Sequence, residues 1–380
     1  MSKKTTDSLF SYPTARAFVT GMKKQSLGDY KNIKSYFRSG FPQLADIETQ
    51  VAKLLNVEEK QGESLLLTNS GMSAVATALD IAHLSKDDII IHGQVEYSKI
   101  YDYINEDLPK REVIPVEVDV ADISAIDKAL KKYPQVRVVF LETVGNGPSM
   151  PVLDIEKFFK LKSLRRANPL IIIDNTLPTD SLLPLLPYLR KNSDLTIIAV
   201  QSATKFYLRN EDTGGMLYVV SRQLRDTLVV KRTRIGATPG PALVELFRKT
   251  LAGKKQFDYE IQTFVRNTGL LAYACKEADG AGKKFLVGYP NLPRFPKGIA
   301  PVFFLTPGTK TTMSAEDLFY KLEKEGAFAD MIITESFGFK KTGVSHSARL
   351  GGYIRIGGGL EPRQKIVEIG KRLADGLQNL

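Results

Sequence analysis

Apolar and β-branched residues gather along the chain into short continuous runs: Leu65 to Thr68, Ile89 to His92, Val136 to Leu141, Leu170 to Ile173, Leu195 to Val200 and Met216 to Val220. Runs of this length without alternation predict strands buried on both faces of a mostly parallel sheet. Between them, Ser73 to Leu84, Ile123 to Lys132 and Ile155 to Arg166 carry helix-like spacing. Strand and helix alternating from residue 60 to residue 220 or so predict an α/β unit. Residues 1–40 lack that rhythm and are expected to form an N-terminal arm. Beyond residue 235 the pattern shifts to longer helical stretches, Leu243 to Leu251 and Tyr259 to Glu277, with shorter strands near Val302 to Leu305 and Tyr353 to Ile356. The expected organisation is an arm over 1–40, an α/β unit over 41–235 and a smaller α+β unit over 236–380. No internal repeat, low-complexity tract or flexible linker interrupts it.

Composition narrows the class without naming it. The 380 residues are 43% hydrophobic and 25% charged, which are ordinary globular values. A single cysteine, Cys275, excludes an internal disulfide and fits a reducing compartment. No apolar stretch approaches the ~20 residues that span a bilayer, and the opening residues, Met1 to Asp7, lack the apolar core of a secretion signal. A soluble, cytoplasmic protein is expected. The net charge of +11 comes from scattered lysines and arginines rather than tracts, so it predicts a solvated basic surface and no nucleic-acid or membrane partner. Cys275, His83, His92 and His346 lack metal-ligand spacing, and no metal is expected.

Chemistry enters where the strands end. Ligands of open α/β sheets sit beyond the carboxyl ends of the strands. The run Leu170 to Ile173 ends in Asp174-Asn175-Thr176, and Leu195 to Val200 ends in Gln201-Ser202-Ala203-Thr204-Lys205. A lysine against apolar walls can lose its proton and attack an aldehyde. Hydroxyls at Ser202 and Thr204 can donate to a phosphate beside it, and a carboxylate at Asp174 can keep a pyridine nitrogen protonated. Taken singly, Asp174 is more simply a turn residue and Lys205 a solvated lysine.

Taken in order, the motifs resemble one family. Ser202-Ala203-Thr204-Lys205 and Asp174-Asn175-Thr176 resemble the S-A-T-K and D-N-T elements of the cystathionine γ-lyase, cystathionine γ-synthase and methionine γ-lyase group. Ser70-Gly71-Met72-Ser73-Ala74 resembles its S-G-M-A-A turn, and Tyr36-Phe37-Arg38 its Y-x-R. Glu142-Thr143 with Asn146 resembles E-T-x-x-N, Glu335-Ser336-Phe337-Gly338 resembles E-S-L-G, and Arg355 to Glu361 resembles R-L-S-V-G-L-E. The resemblance runs from residue 36 to residue 361.

It implies an aspartate-aminotransferase-like, type I fold and pyridoxal 5'-phosphate (PLP) held by Lys205 as a Schiff base. It further implies phosphate contacts from Ser70, Gly71, Met72, Ser202 and Thr204, Tyr97 stacked on the ring, and Tyr36 and Arg38 reaching into a neighbouring subunit's site. Arg355, Ser336, Asn146 and Glu335 would bind the substrate, with Lys205, Tyr97 and Asp174 catalytic. The assembly implied is a dimer, or a tetramer built from two dimers. Glutamate at position 335 tilts the expected reaction toward γ-elimination or γ-replacement on a sulfur-containing or O-activated amino acid. A β-eliminating carbon–sulfur lyase and a non-catalytic PLP-binding homologue are the alternatives. A nicotinamide dehydrogenase is not expected, since Gly357-Gly358-Gly359 lacks the strand–turn–helix context of a dinucleotide site.

The departures cluster on the substrate side. The family's Gly-His-x-Asp after the lysine is here Arg209-Asn210-Glu211-Asp212, the N-P-T after Y-x-R is Phe41-Pro42-Gln43, and Asn146 is followed by Gly147 rather than proline. The stretch from Asp174 to Lys205 is longer than usual for the family.

Overall fold

The computed structural model of the chain describes residues 40–58, 62–279, 284–290, 298–308 and 311–379. Its larger sheet joins β1 (Ser64–Thr68), β2 (Ile89–Gly93), β3 (Ile114–Val118), β4 (Val138–Glu142), β5 (Leu170–Asp174), β6 (Ile197–Ser202) and β7 (Gly215–Val219) in the order β1-β7-β6-β5-β4-β2-β3. Strands β6, β5, β4, β2 and β3 pair in parallel, and β7 runs antiparallel to both its neighbours, β1 and β6. Side chains alternate between two separate cores, as the period of two requires. Val139, Leu141, Ile171 and Ile173 enter one core, whereas Val138, Phe140, Leu170 and Ile172 enter the other. That is why these strands are continuous apolar runs: both faces are dry.

A second sheet is built from β8 (Phe285–Gly288), β9 (Val302–Pro307), β10 (Ile332–Ile333), β11 (Gly343–Ser347) and β12 (Tyr353–Gly357), in the order β10-β11-β12-β9-β8. The long helix Lys254–Asp279 packs against the terminal helix Arg363–Gln378, and Leu271, Leu305, Ile356 and Leu373 meet in one buried cluster. The architecture is α/β, with a mixed seven-stranded sheet and a smaller C-terminal sheet domain. Among the described residues no helix is long and apolar enough to cross a membrane.

The strand runs predicted from sequence all form strands, but β3 is a strand that the apolar pattern hides. It lies at the sheet edge, where Pro115 and Glu117 are tolerated and Ile114 is 44% exposed. The single helix expected over Ile155 to Arg166 is two, Ile155–Phe159 and Lys162–Ala167, with Leu161 extended between them (φ −65°, ψ 121°). At about 100° per residue, an unbroken helix would turn Leu164 to the side opposite Ile155. The break resets the phase, and Ile155, Phe158 and Leu164 are all fully buried. Likewise the helix expected over Ser73 to Leu84 is α-helical over Gly71–Leu79 and closes through a 3₁₀ turn at Asp80–Ala82.

Burial predicts how unevenly the sheet tolerates truncation. Ile172→Ala on β5, fully buried, should cost ~2–5 kcal/mol. The same truncation of Ile114 on the edge should stay within about 1 kcal/mol. Urea denaturation followed by circular dichroism measures both.

Candidate active site

Strands β4, β5 and β6 end side by side, with Glu142 opposite Asp174 and Asp174 opposite Val200 in the registers. Beyond their carboxyl ends lies a cavity of about 310 Å³. The helix Gly71–Leu79 starts at its wall. Ser70 caps that helix: its Oγ accepts from Ser73 N at 3.0 Å while its own N–H donates to Ser73 Oγ at 2.9 Å. Gly71 and Met72, the first two helical residues, line the cavity, where the first-turn N–H groups of a helix lack intrahelical partners. A Cβ on Gly71 would stand 3.0 Å from Ser202 Cβ, so glycine lets the end of β6 abut the helix start. Helix amides and the Ser202 hydroxyl are thereby brought to one corner, the arrangement that receives a phosphate.

Lys205 follows on the loop between β6 and β7. Its backbone is fixed by Ala203 N and Thr204 N, which both donate to Gly214 O, and by Thr204 Oγ1, which accepts from Gly214 N at 3.0 Å. Lys205 Nζ donates to Ser336 Oγ at 2.8 Å and lies 5.2 Å from the centre of the Phe337 ring. Burial, helped by the Arg355 guanidinium, pushes the lysine down to about 8. Arg355 on β12 faces the same cavity and is steadied by the Glu335 carbonyl, to which its Nη2 donates.

Asp174 stands at the end of β5, buried, with Oδ1 accepting from Thr176 N at 2.8 Å. Burial raises it to about 6 in the cofactor-free chain, against the opposing pull of the Thr176 bonds. Its neighbour Glu142 is also raised well above the usual carboxylate range, by burial first and then by Asp174 and Glu96. Glu142 Oε1 accepts from Tyr97 N at 2.6 Å, which seats Tyr97, 42% exposed, at the cavity wall. Thr143 Oγ1 donates to Asn175 Oδ1 at 2.8 Å, so the two strand-end motifs are tied together beneath the cavity. Asn146 also lines it, and its Oδ1 is buried without a hydrogen-bond partner.

The structure thus gathers Ser70, Gly71, Met72, Tyr97, Asn146, Asp174, Ser202, Thr204, Lys205, Glu335 and Arg355 around one cavity, with Ser336 bonded to the lysine. Tyr36 and Arg38 lie outside the described residues. Sequence reading assigned no part to Glu96 and His92, which form a buried contact (Nδ1 to Oε2, 3.4 Å) behind Glu142. Their only signal was a His-x-x-x-Glu spacing after β2. It also passed over Thr176 and Thr213, both of which line the cavity.

The pieces suit PLP. A helix N-terminus with adjoining hydroxyls meets a phosphate, a buried carboxylate meets a ring nitrogen, an easily deprotonated lysine meets an aldehyde, and the orphaned Asn146 oxygen lacks a partner that a bound group would supply. Fold and cavity together define the type I PLP-enzyme class. The chain matches the family described as Cys/Met metabolism PLP-dependent enzyme over residues 6–278, and it belongs to that family. It is 27% identical over 265 residues to the L-methionine gamma-lyase of Treponema denticola, covering 69% of this chain and 61% of that one. To the cystathionine beta-lyase of Neurospora crassa it is 26% identical over 238 residues, 60% of this chain and 48% of that one. The matched stretch thus spans about half to three-fifths of these relatives' own length. The crystal structure of metB from Corynebacterium glutamicum has the same fold, with a TM-score of 0.75, 20% identity and coverage of 92% of this chain and 89% of that one.

Asp174 makes a pH prediction for the cofactor-free protein. Its pKa is raised above the unfolded value, so burying it costs nothing below about 3.8, costs progressively more up to about 6, and stays constant above. Asp174→Asn should therefore stabilise the cofactor-free chain at pH 7.5 by up to ~3 kcal/mol, and hardly at pH 4. Melting temperatures at the two pH values give the comparison; an equal change at both contradicts it.

Proposed function

We propose that the chain is a PLP-dependent enzyme that eliminates or replaces a group at Cγ of a sulfur-containing or O-activated amino acid. The observation that carries this reading is Lys205, held near neutrality at about 8 within the same cavity as Asp174 and Arg355. When bound through the Lys205 amine, PLP supplies an electron sink for negative charge developing at a substrate Cα. Gly71 and Met72 amides with the Ser70, Ser202 and Thr204 hydroxyls would hold its phosphate, and Asp174 would hold a proton on its ring nitrogen. Tyr97, at the cavity wall, would pack against the ring and could pass a proton to the leaving group. Arg355 clamps the substrate carboxylate through its planar fork of donors, with Asn146 and Ser336 beside it. The Lys205 amine would hold PLP and could accept a proton from a substrate Cα beside it, a role that its lowered proton affinity suits near pH 8.

Glu335 at the cavity wall supports chemistry at Cγ, and the Treponema denticola relative is a gamma-lyase by name. The Neurospora crassa relative is a beta-lyase by name, which favours Cβ cleavage as the second reading. Cystathionine, cleavable on either side of its sulfur, separates them. Added PLP should colour the protein yellow, and borohydride should leave a pyridoxyl label on Lys205. Lys205→Ala should lower turnover by at least ~10²–10⁴-fold. Glu335→Ala should depress Cγ products more than Cβ products while PLP uptake holds. A protein that stays colourless with excess PLP refutes the cofactor, and an unchanged product ratio refutes the part given to Glu335.

The same reading makes the active unit at least a dimer, because Tyr36 and Arg38 resemble residues that complete a neighbour's phosphate site; a tetramer of two such dimers is the larger assembly it allows. Arg38→Ala should weaken PLP retention. Mixing Arg38→Ala with inactive Lys205→Ala subunits should restore some activity at limiting PLP, since random pairing of equal amounts leaves one intact site in each mixed dimer. Full activity in a monomer, established by light scattering, excludes a shared site.

A further inference from the structure

The loop after Lys205 carries two consecutive non-glycine residues in the left-handed region, Arg209 (φ 53°) and Asn210 (φ 60°). Asparagine is among the few side chains that adopt this backbone readily. Asn210 is held by three bonds: its N–H donates to Thr204 O at 2.8 Å, its Nδ2 donates to Phe337 O at 2.8 Å, and its Oδ1 accepts from Ser336 Oγ at 2.7 Å. Ser336 Oγ accepts in turn from Lys205 Nζ at 2.8 Å. The sense of this chain is determined at its far end. A carbonyl can only accept, so Nδ2 must face Phe337 and Oδ1 must face Ser336. A hydroxyl has one hydrogen; once Asn210 takes it, Ser336 has only lone pairs to offer the lysine.

We propose that Asn210 is a positioning residue, acting through Ser336 to hold the Lys205 amine in place; this rests on Lys205 being the cofactor-bearing lysine. The residue type fits the task. Neutral imidazole, which the family pattern has at this position, also offers one donor and one acceptor, but protonation removes the acceptor. Asparagine does not titrate, so here the chain keeps its sense at acid pH. The charged groups around the loop are Arg355 on β12, 5.7 Å from the Phe337 ring, Glu335 beside it, Arg209 paired at 3.1 Å with Glu260 of the long helix, and the adjacent Glu211 and Asp212.

The test reads the lysine directly, without turnover. The full-length chain, freed of cofactor, is acetylated with acetic anhydride across a pH series, and the rate at Lys205 is followed by peptide mass. The wild-type midpoint should lie at about 8. Ser336→Ala removes an acceptor that favours the ammonium form and should lower the midpoint by about half a unit to one unit. Asn210→Gly, which suits a left-handed backbone and keeps the fold, should lower it in the same direction. Added to Ser336→Ala, it should produce no further shift. Asn210→His should regain the wild-type midpoint, because imidazole is neutral near pH 8. An Asn210→Gly midpoint equal to wild type, or a shift that persists in the Ser336→Ala background, would overturn the proposal. A wild-type midpoint in the ordinary lysine range would instead overturn the reading of Lys205 itself.

Discussion

Water is kept from the ends of β4, β5 and β6 by packed layers on both faces of the sheet, and the ionisable groups there respond in opposite senses. Losing solvent disfavours whichever form carries charge. The lysine therefore gives up its proton more easily and the carboxyls hold theirs more tightly. Lys205 comes down to about 8 and Asp174 up to about 6, so groups that in water titrate far apart both approach neutrality. The architecture produces this before any ligand is bound.

The cost of such a site is met by local hydrogen bonds rather than by ion pairs. Asp174 leans on Thr176, Glu142 on the Tyr97 amide, and Asn175 on Thr143 and the Leu183 carbonyl at 2.8 Å. Half-satisfied polar groups in a dry interior are expensive, and two of those among the described residues lie at or behind the cavity, the Asn146 oxygen and His92 Nε2. The lysine loop is likewise bonded to the segment before β11, through Ser336, Asn210 and the Phe337 carbonyl. The two sheets are thus joined through the residues nearest the chemistry.

Much of this was legible in the residues. Dry strands announce themselves as apolar runs, and the polar groups that terminate them mark the cavity, which is why Asp174 and Lys205 stand out from sequence. What stayed hidden depends on tertiary context. β3 is disguised by edge residues, and the split helix at Leu161 is visible only once the burial of Leu164 is known. The pairing of Glu142 with Asp174 is a matter of strand register, and the partners of the Asn210 side chain lie more than a hundred residues away along the chain. Periodicity carries no information about either.

The antiparallel insertion of β7 between β1 and β6 has a consequence for the order in which the site comes into being. The lysine loop closes over a short span, with Thr204 and Gly214 bonded ten positions apart. The wall that carries Ser70 is joined to that loop by Thr213 Oγ1 donating to Asn69 O at 3.0 Å, across 144 positions. Long closures lose more chain entropy and form later. On the ribosome, β1 is synthesised well before β7, its only strand partner among the described residues, and must wait for it. The loop that carries the lysine can therefore close before the corner at Ser70, which waits on the pairing of β1 with β7.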